Sequence, residues 1–125
     1  MTITLVYKEG RSLKIVISSI NMDLSSQIDP RFGRCNCFTL HDTEKDTYEF
    51  LDNTSIHQAH GAGIAAAQYV SELNAEVVLT GRLGPKALRV LNDSGIVGYK
   101  AEQGSLEEAV LAFKMNKLSK IDSPT

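Results

Sequence analysis

Two short, almost entirely apolar runs constrain the fold of this chain more than any other feature. Leu13–Ser18 and Glu76–Thr80 each have the length of one β-strand, and neither shows the regular polar alternation of a half-exposed strand. Such runs are typical of parallel strands that helices cover on both faces. A helical segment separates them and further helices follow, so the sequence predicts an α/β fold in which these two strands are adjacent and parallel.

The rest of the chain alternates between strand and helix periods. Apolar and polar residues alternate on both sides of the polar segment Thr43–Asp46, which predicts an antiparallel hairpin with His41 facing solvent. Ser105 and Glu108 have the spacing of a helix capping box. The predicted strands cover residues 13–18, 38–42, 48–52, 76–80 and 96–101, and the predicted helices cover 61–73, 85–95 and the segment after 105. We therefore expect a five-stranded mixed sheet in the order 3-2-1-4-5 with helices on both faces.

Length and charge limit the possible functions. The chain has 125 residues and a formal net charge of −2, which favours one domain and gives no support for a nucleic-acid surface. We expect a single domain over residues 13–118, an N-terminal extension over 1–12 that is an edge strand or disordered, and a disordered tail over 119–125. No apolar run is long enough to span a bilayer and no secretory signal is evident, so a cytoplasmic location without membrane contact is expected.

Two loops are predicted to meet at one edge of the sheet. The loop over residues 20–34 leaves the first strand and the loop over 80–85 leaves the fourth, so parallel pairing brings both to a topological switch point. Glycines let a ligand approach the backbone, and arginines beside helix N-termini favour an anion. The predicted cradle consists of Arg31, Arg34, Gly61, Gly63, Gly81, Arg82 and Gly84.

Five motifs occur in order along the chain and carry a family resemblance. They are Pro30-Arg31-Phe32-Gly33-Arg34, Asn53 at the end of the hairpin, His60-Gly61-Ala62-Gly63, Gly81-Arg82-Leu83-Gly84-Pro85-Lys86-Ala87 and Gly95-Ile96. Over roughly residues 13–118 the chain resembles the nitrogenase iron–molybdenum cofactor biosynthesis proteins of the NifX type and the matching C-terminal domain of NifB-type proteins.

The resemblance implies a three-layer, RNase H-like α/β fold. It also implies noncovalent, non-catalytic carriage of an iron–sulfur or molybdenum-containing cluster, or its precursor, between donor and acceptor proteins that the sequence does not identify. The family motifs add Phe32, Gly33 and His60 to the predicted cradle.

Three side chains are candidates for contact with metal: His60, Cys35 and Cys37. His60 is preferred over His57 because the family motif contains it. The cysteines are expected to be free thiols, since a disulfide across one residue would be strained and would close almost no loop. Two thiols cannot saturate a cluster, and both could instead be buried as small apolar groups.

A phosphate- or nucleotide-binding regulatory module is the main alternative, because helix N-termini with glycines also suit phosphates. The chain contains neither a Gly-x-x-x-x-Gly-Lys-Ser/Thr motif nor a Gly-x-Gly-x-x-Gly motif after a strand. A metal-dependent nuclease is disfavoured, because few carboxylates converge on the predicted site. A protein-interaction domain with an empty cradle is a third possibility.

Overall fold

The β-strands form one sheet and the helices cover it. The computed structural model describes residues 11–124, so the prediction for residues 1–10 lies outside the described part of the chain. The elements in chain order are β1 (Lys14–Ser19), β2 (Cys37–Asp42), β3 (Thr47–Asp52), a 3-10 helix (Thr54–His57), α1 (Ala62–Glu72), β4 (Val77–Thr80), α2 (Pro85–Asp93), β5 (Val97–Lys100) and α3 (Leu106–Lys114).

The sheet has the predicted five strands in the order β3-β2-β1-β4-β5. β1 pairs antiparallel with β2, which forms the hairpin with β3. β1 also pairs parallel with β4, from Ile15 opposite Val77 to Ile17 opposite Leu79, and β5 extends the parallel side. The predicted parallel neighbours are therefore confirmed, and the chain reverses its lateral course between β1 and β4.

Alternate residues of the central strand face two separate apolar cores. Val16 packs with Phe38 and with residues of α1 and α2 on one side of the sheet. Ile15 and Ile17 pack with residues of α3 on the other side. The result is the predicted three-layer architecture. Within residues 11–124, no helix combines the length and the apolar character that crossing a bilayer requires.

The helices α1, α2 and α3 start in different ways. Ser105 and Glu108 form the predicted capping box at the start of α3. Gly61 precedes α1 with a positive φ of 74°, and Gly84 precedes α2 with Pro85 in the first turn. Neither glycine supplies a capping side chain, so backbone N–H donors in the first turns of α1 and α2 remain available to a ligand.

His41 is buried, and the prediction that it faces solvent was wrong. Its position opposite Ile15 directs it to the α3 side of the sheet. Its Nδ1 atom lies 3.0 Å from the carbonyl oxygen of Thr47, and its ring centroid lies 4.3 Å from that of Tyr48. Burial lowers the pKa of His41, which favours the neutral imidazole that can pack as a flat aromatic ring.

Residues 119–121 pair with β5, where the sequence predicted a disordered tail over residues 119–125. Lys100 N–H donates to the carbonyl oxygen of Ser119, and Ile121 N–H donates to that of Gly98, each at 2.8 Å. The Ile121 side chain is only 5 % exposed and belongs to the core beneath α1 and α2. This segment covers the outer edge of β5, which would otherwise present unpaired backbone groups.

We expect Ile121→Ala to lower the free energy of unfolding by about 2–4 kcal/mol, because it removes buried apolar atoms from a packed core. Ile20→Ala is the matched control, since Ile20 is 41 % exposed and its truncation should cost within about 0.5 kcal/mol. Urea unfolding of both variants measures the difference. Equal, small effects would contradict the packing of this segment.

Candidate functional site

A cavity of about 490 Å³ lies at the sheet edge where β1 and β4 end. The loop after β1 forms one wall, and the first turns of α1 and α2 form the others. The lining residues are Arg31, Phe32, Gly33, Arg34, Gly61, Ala62, Gly63, Ile64, Arg82, Gly84, Pro85, Lys86 and Ala87. Four of them carry a formal positive charge, and none carries a negative one.

The two loops that follow β1 and β4 touch through their backbones. Arg31 forms a parallel bridge with Arg82, and the N–H of Arg82 donates to the carbonyl oxygen of Pro30 at 2.9 Å. A Cβ atom on Gly81 would lie 2.8 Å from both the Cβ and the carbonyl oxygen of Pro30. A residue without a side chain is therefore needed at position 81, and this contact brings two arginines to one rim.

The start of α1 rests directly on the loop after β1. A Cβ atom on Gly33 would lie 2.7 Å from the backbone nitrogen of Gly63 and 2.8 Å from its Cα atom. Asn53 reinforces the loop by donating through Nδ2 to the carbonyl oxygens of Gly33 and Cys35, at 3.1 and 2.8 Å. The uncapped end of α1 is thereby held at the cavity wall.

The four cations of the cavity have different partners. Arg31 donates through Nε and a terminal nitrogen to the buried carboxylate of Asp29, at 3.1 and 3.0 Å, and this pairing raises the pKa of Arg31. Arg34 donates to backbone carbonyl oxygens rather than to a carboxylate. Within residues 11–124, no ion pair or side-chain hydrogen bond engages Arg82 or Lys86. These last two charges are available to an anion.

Most of the predicted cradle residues lie together in this cavity. The lining includes Arg31, Phe32, Gly33, Arg34, Gly61, Gly63, Arg82 and Gly84. The other two do not line it: Gly81 holds the contact with Pro30, and His60 is an exposed residue next to Gly61. His57 is exposed as well.

Sequence reasoning did not assign Lys86 and Ile64 to the cradle, although both line the cavity. Lys86 was visible in the motif that begins at Gly81, and its place in the first turn after Pro85 was a usable signal. Ile64 adds an apolar side chain to the wall, and nothing in its local sequence distinguishes it from a core residue.

The thiols of Cys35 and Cys37 are buried and do not line the cavity. Cys37 Sγ donates to the carbonyl oxygen of Ser19 at 3.5 Å, and Asn53 Nδ2 lies 3.6 Å from Cys35 Sγ. Burial, helped by the nearby Asp29 carboxylate, raises the pKa of Cys35 to about 12, and burial also raises the pKa of Cys37. Both therefore remain neutral thiols, which are poor metal ligands.

The described residues contain no ready-made metal centre. Nowhere between residues 11 and 124 do three or more His, Cys, Asp or Glu side chains come together in a way that could hold a metal ion. The cavity instead offers cationic side chains, backbone N–H donors and apolar atoms. This arrangement suits an anion that brings its own internal ligands.

The comparisons with known proteins agree with this fold. A family model described as dinitrogenase iron-molybdenum cofactor matches residues 13–116, and the chain therefore belongs to that family. The chain is 29 % identical over 114 residues to an uncharacterised Methanocaldococcus jannaschii protein, a match that covers 88 % of this chain and 97 % of that protein.

Two solved structures are similar to this chain in both fold and sequence. One is the apo form of the orange protein from Desulfovibrio gigas, with a TM-score of 0.87 and 33 % identity over 93 % of this chain and 98 % of that one. The other is a candidate NifB protein from Thermotoga, with a TM-score of 0.80 and 32 % identity over 90 % of this chain and 97 % of that one.

Gly33→Ala tests the backbone contact beneath α1. We expect it to destabilise the fold by about 1–3 kcal/mol, because the new methyl group overlaps the backbone of Gly63. Gly84→Ala is the matched control in the same cavity, since a Cβ atom there meets nothing within 4 Å. Thermal unfolding compares the two variants, and an equal effect would show that the close approach at Gly33 is unimportant.

The burial of Cys35 predicts a loss of stability at alkaline pH. The folded-state pKa of about 12 lies above the ordinary value of 9.0, so the stabilising contribution is complete below pH 9.0 and declines as pH rises towards 12. We expect the free energy of unfolding of the wild type to fall more steeply above pH 9 than that of Cys35→Ala, by up to about 1.4 kcal/mol per pH unit. Urea unfolding between pH 8 and 11 measures both slopes, and parallel slopes would contradict the assignment.

Proposed function

We propose that this domain binds an anionic iron–sulfur or molybdenum-containing cluster, or a precursor of one, noncovalently in the cavity between the loop after β1 and the starts of α1 and α2. The domain then acts as a non-catalytic carrier in cofactor assembly or delivery. One observation carries this proposal. In a member of this family, Arg82 and Lys86, which have no ion pair within residues 11–124, line the same cavity as the N-termini of α1 and α2, which no N-cap side chain caps.

Charge supports an anionic cargo. Arg82 and Lys86 lie beside the first turn of α2, where the helix dipole also favours negative charge. The available N–H groups of α1 and α2 can donate to sulfide or oxo groups on the cargo surface. Each charge-assisted contact of this kind contributes on the order of 1.5–3 kcal/mol when it is well desolvated.

The absence of a thiolate site supports transient carriage. Cys35 and Cys37 are neutral and buried, so we leave them out of the proposed metal contacts. His60 is the remaining proposed metal contact, because it is exposed and directly precedes Gly61, which lines the cavity. A cluster held by charge and at most one protein ligand keeps most of its own ligands and can be passed on.

The second candidate is a phosphate- or nucleotide-binding regulatory module. The same helix N-termini and the same cations would bind phosphate oxygens. The family membership favours the cluster, and the two cargoes are distinguished by what the purified protein retains.

We expect protein purified without oxygen and incubated with iron, sulfide and molybdate to retain metal and visible absorption after gel filtration. Replacing Arg31, Arg34 and Arg82 by Gln should reduce retention at least about a hundredfold, because it removes three of the four positive charges that line the cavity. Gln at Arg11, Arg89 and Lys117 is the matched control, because it removes three charges that do not line the cavity. His60→Ala should also reduce retention, whereas Cys35→Ser should not.

Equal retention by the cavity variant and the control variant would refute the proposed site. Tight binding of phosphate or ATP by a protein that retains no metal would establish the alternative function. Circular dichroism and thermal unfolding of each variant verify that the loss is not caused by unfolding.

A further inference from the structure

Arg34 differs from the other cations of the cavity in its hydrogen-bond partners, which are backbone carbonyl oxygens. One terminal nitrogen donates to the carbonyl oxygens of Ile56 and Gln58, at 3.0 and 2.8 Å, and the other donates to that of Ala59 at 3.4 Å. The carbonyl of Ile56 belongs to the 3-10 helix, and those of Gln58 and Ala59 belong to the segment that joins this helix to α1. The guanidinium of Arg34 thus links the loop after β1 to residues 56–59 through hydrogen bonds.

We propose that Arg34 is a positioning residue, which fixes residues 56–61 and the start of α1 at the cavity rim, whereas Arg82 and Lys86 supply the charge that binds the ligand. This division of roles deepens the proposed function and rests on it. It departs from the expectation that all the arginines of the cradle act alike on an anion.

The geometry of the guanidinium supports this role. Its donors are fixed in one plane and can satisfy several acceptors at once, which an ammonium group does less well. Three carbonyl oxygens, the negative ends of their peptide dipoles, surround Arg34, so part of its charge is already offset by the protein. If the Arg34 guanidinium moved towards a ligand, the three carbonyl oxygens would lose their hydrogen bonds to it.

The segment that Arg34 holds leads directly into the cavity wall. Gln58 N–H donates to the carbonyl oxygen of Ser55, which closes the 3-10 helix. Gly61 then adopts its positive φ of 74° immediately before α1, whose first turn lines the cavity. A shift of residues 56–61 would therefore move both His60 and the N–H donors of α1.

Arg82 provides the contrast. It lines the cavity and is exposed, and within residues 11–124 its side chain has no hydrogen-bonding partner. A residue that acts only through its positive charge does not need the several coplanar donors of a guanidinium, so we expect a lysine at position 82 to function in its place. The same substitution at Arg34 keeps the positive charge but removes the planar set of donors that reaches three carbonyl oxygens. Arg→Lys at the two positions is therefore a matched pair of variants.

The test is a titration with tetrathiomolybdate, a coloured molybdenum–sulfur dianion, followed by visible absorption without oxygen. We expect Arg34→Lys to weaken binding about tenfold or more, and Arg82→Lys to stay within about threefold of the wild type. Arg82→Gln should also reduce the salt dependence of binding, because it removes a solvent-exposed charge contact, and Arg34→Gln should reduce that dependence less.

Hydrogen exchange of the ligand-free protein gives a second readout that needs no cargo. Arg34→Lys and Arg34→Gln should accelerate exchange of backbone amides in residues 57–64, and Arg82→Lys should not. If Arg34→Lys keeps wild-type affinity and exchange, the positioning role is refuted. If the wild type binds no tetrathiomolybdate, the proposed function fails for this anion, while the exchange result still decides whether Arg34 holds the segment.

Discussion

The parallel pairing of β1 with β4 is the constraint on which the rest of the structure depends. It aligns the ends of two strands that are separated by more than fifty residues, and so brings the following loops to one edge of the sheet. The pairing continues beyond the strands through the bridge between Arg31 and Arg82. Because parallel strands need crossover helices, the same constraint places the N-termini of α1 and α2 at that edge. The cavity is thus a consequence of topology.

Close backbone contact then determines the shape of the cavity. Gly33 lies against Gly63 and Gly81 lies against Pro30, at distances that no Cβ atom would allow. Side chains at these positions would separate the loops from each other and from α1. Because side chains are absent there, the first turns of two helices and two loops that carry arginines can line one cavity. Positive potential is thereby concentrated at a place where none of the lining residues between 11 and 124 carries a negative charge.

Much of this structure could be predicted from the sequence, because the decisive signals are local. The apolar runs that became β1 and β4 identify buried parallel strands, and Ser105 with Glu108 marks a helix start. The failures involve tertiary context. The alternation of apolar and polar residues in β2 could not show that α3 covers the face on which His41 lies. The sequence around Ile121 likewise contains no local signal that this segment pairs with the outer edge of β5. The partners of Arg34 are backbone carbonyls, which carry no residue-specific signal.

The burial of the thiols bears on how the proposed cargo would leave the site. A metal–thiolate bond must be broken or exchanged on transfer, whereas contacts with cations and N–H groups can be replaced one at a time by those of an acceptor. In this chain the pKa of about 12 keeps Cys35 protonated at neutral pH, so a Cys35 thiolate would not compete for the metal of the proposed cargo. Under the proposed function, binding energy would come instead from exposed charges such as Arg82 and Lys86, which an acidic acceptor surface could approach directly. Retention and release would then depend on the same few electrostatic contacts.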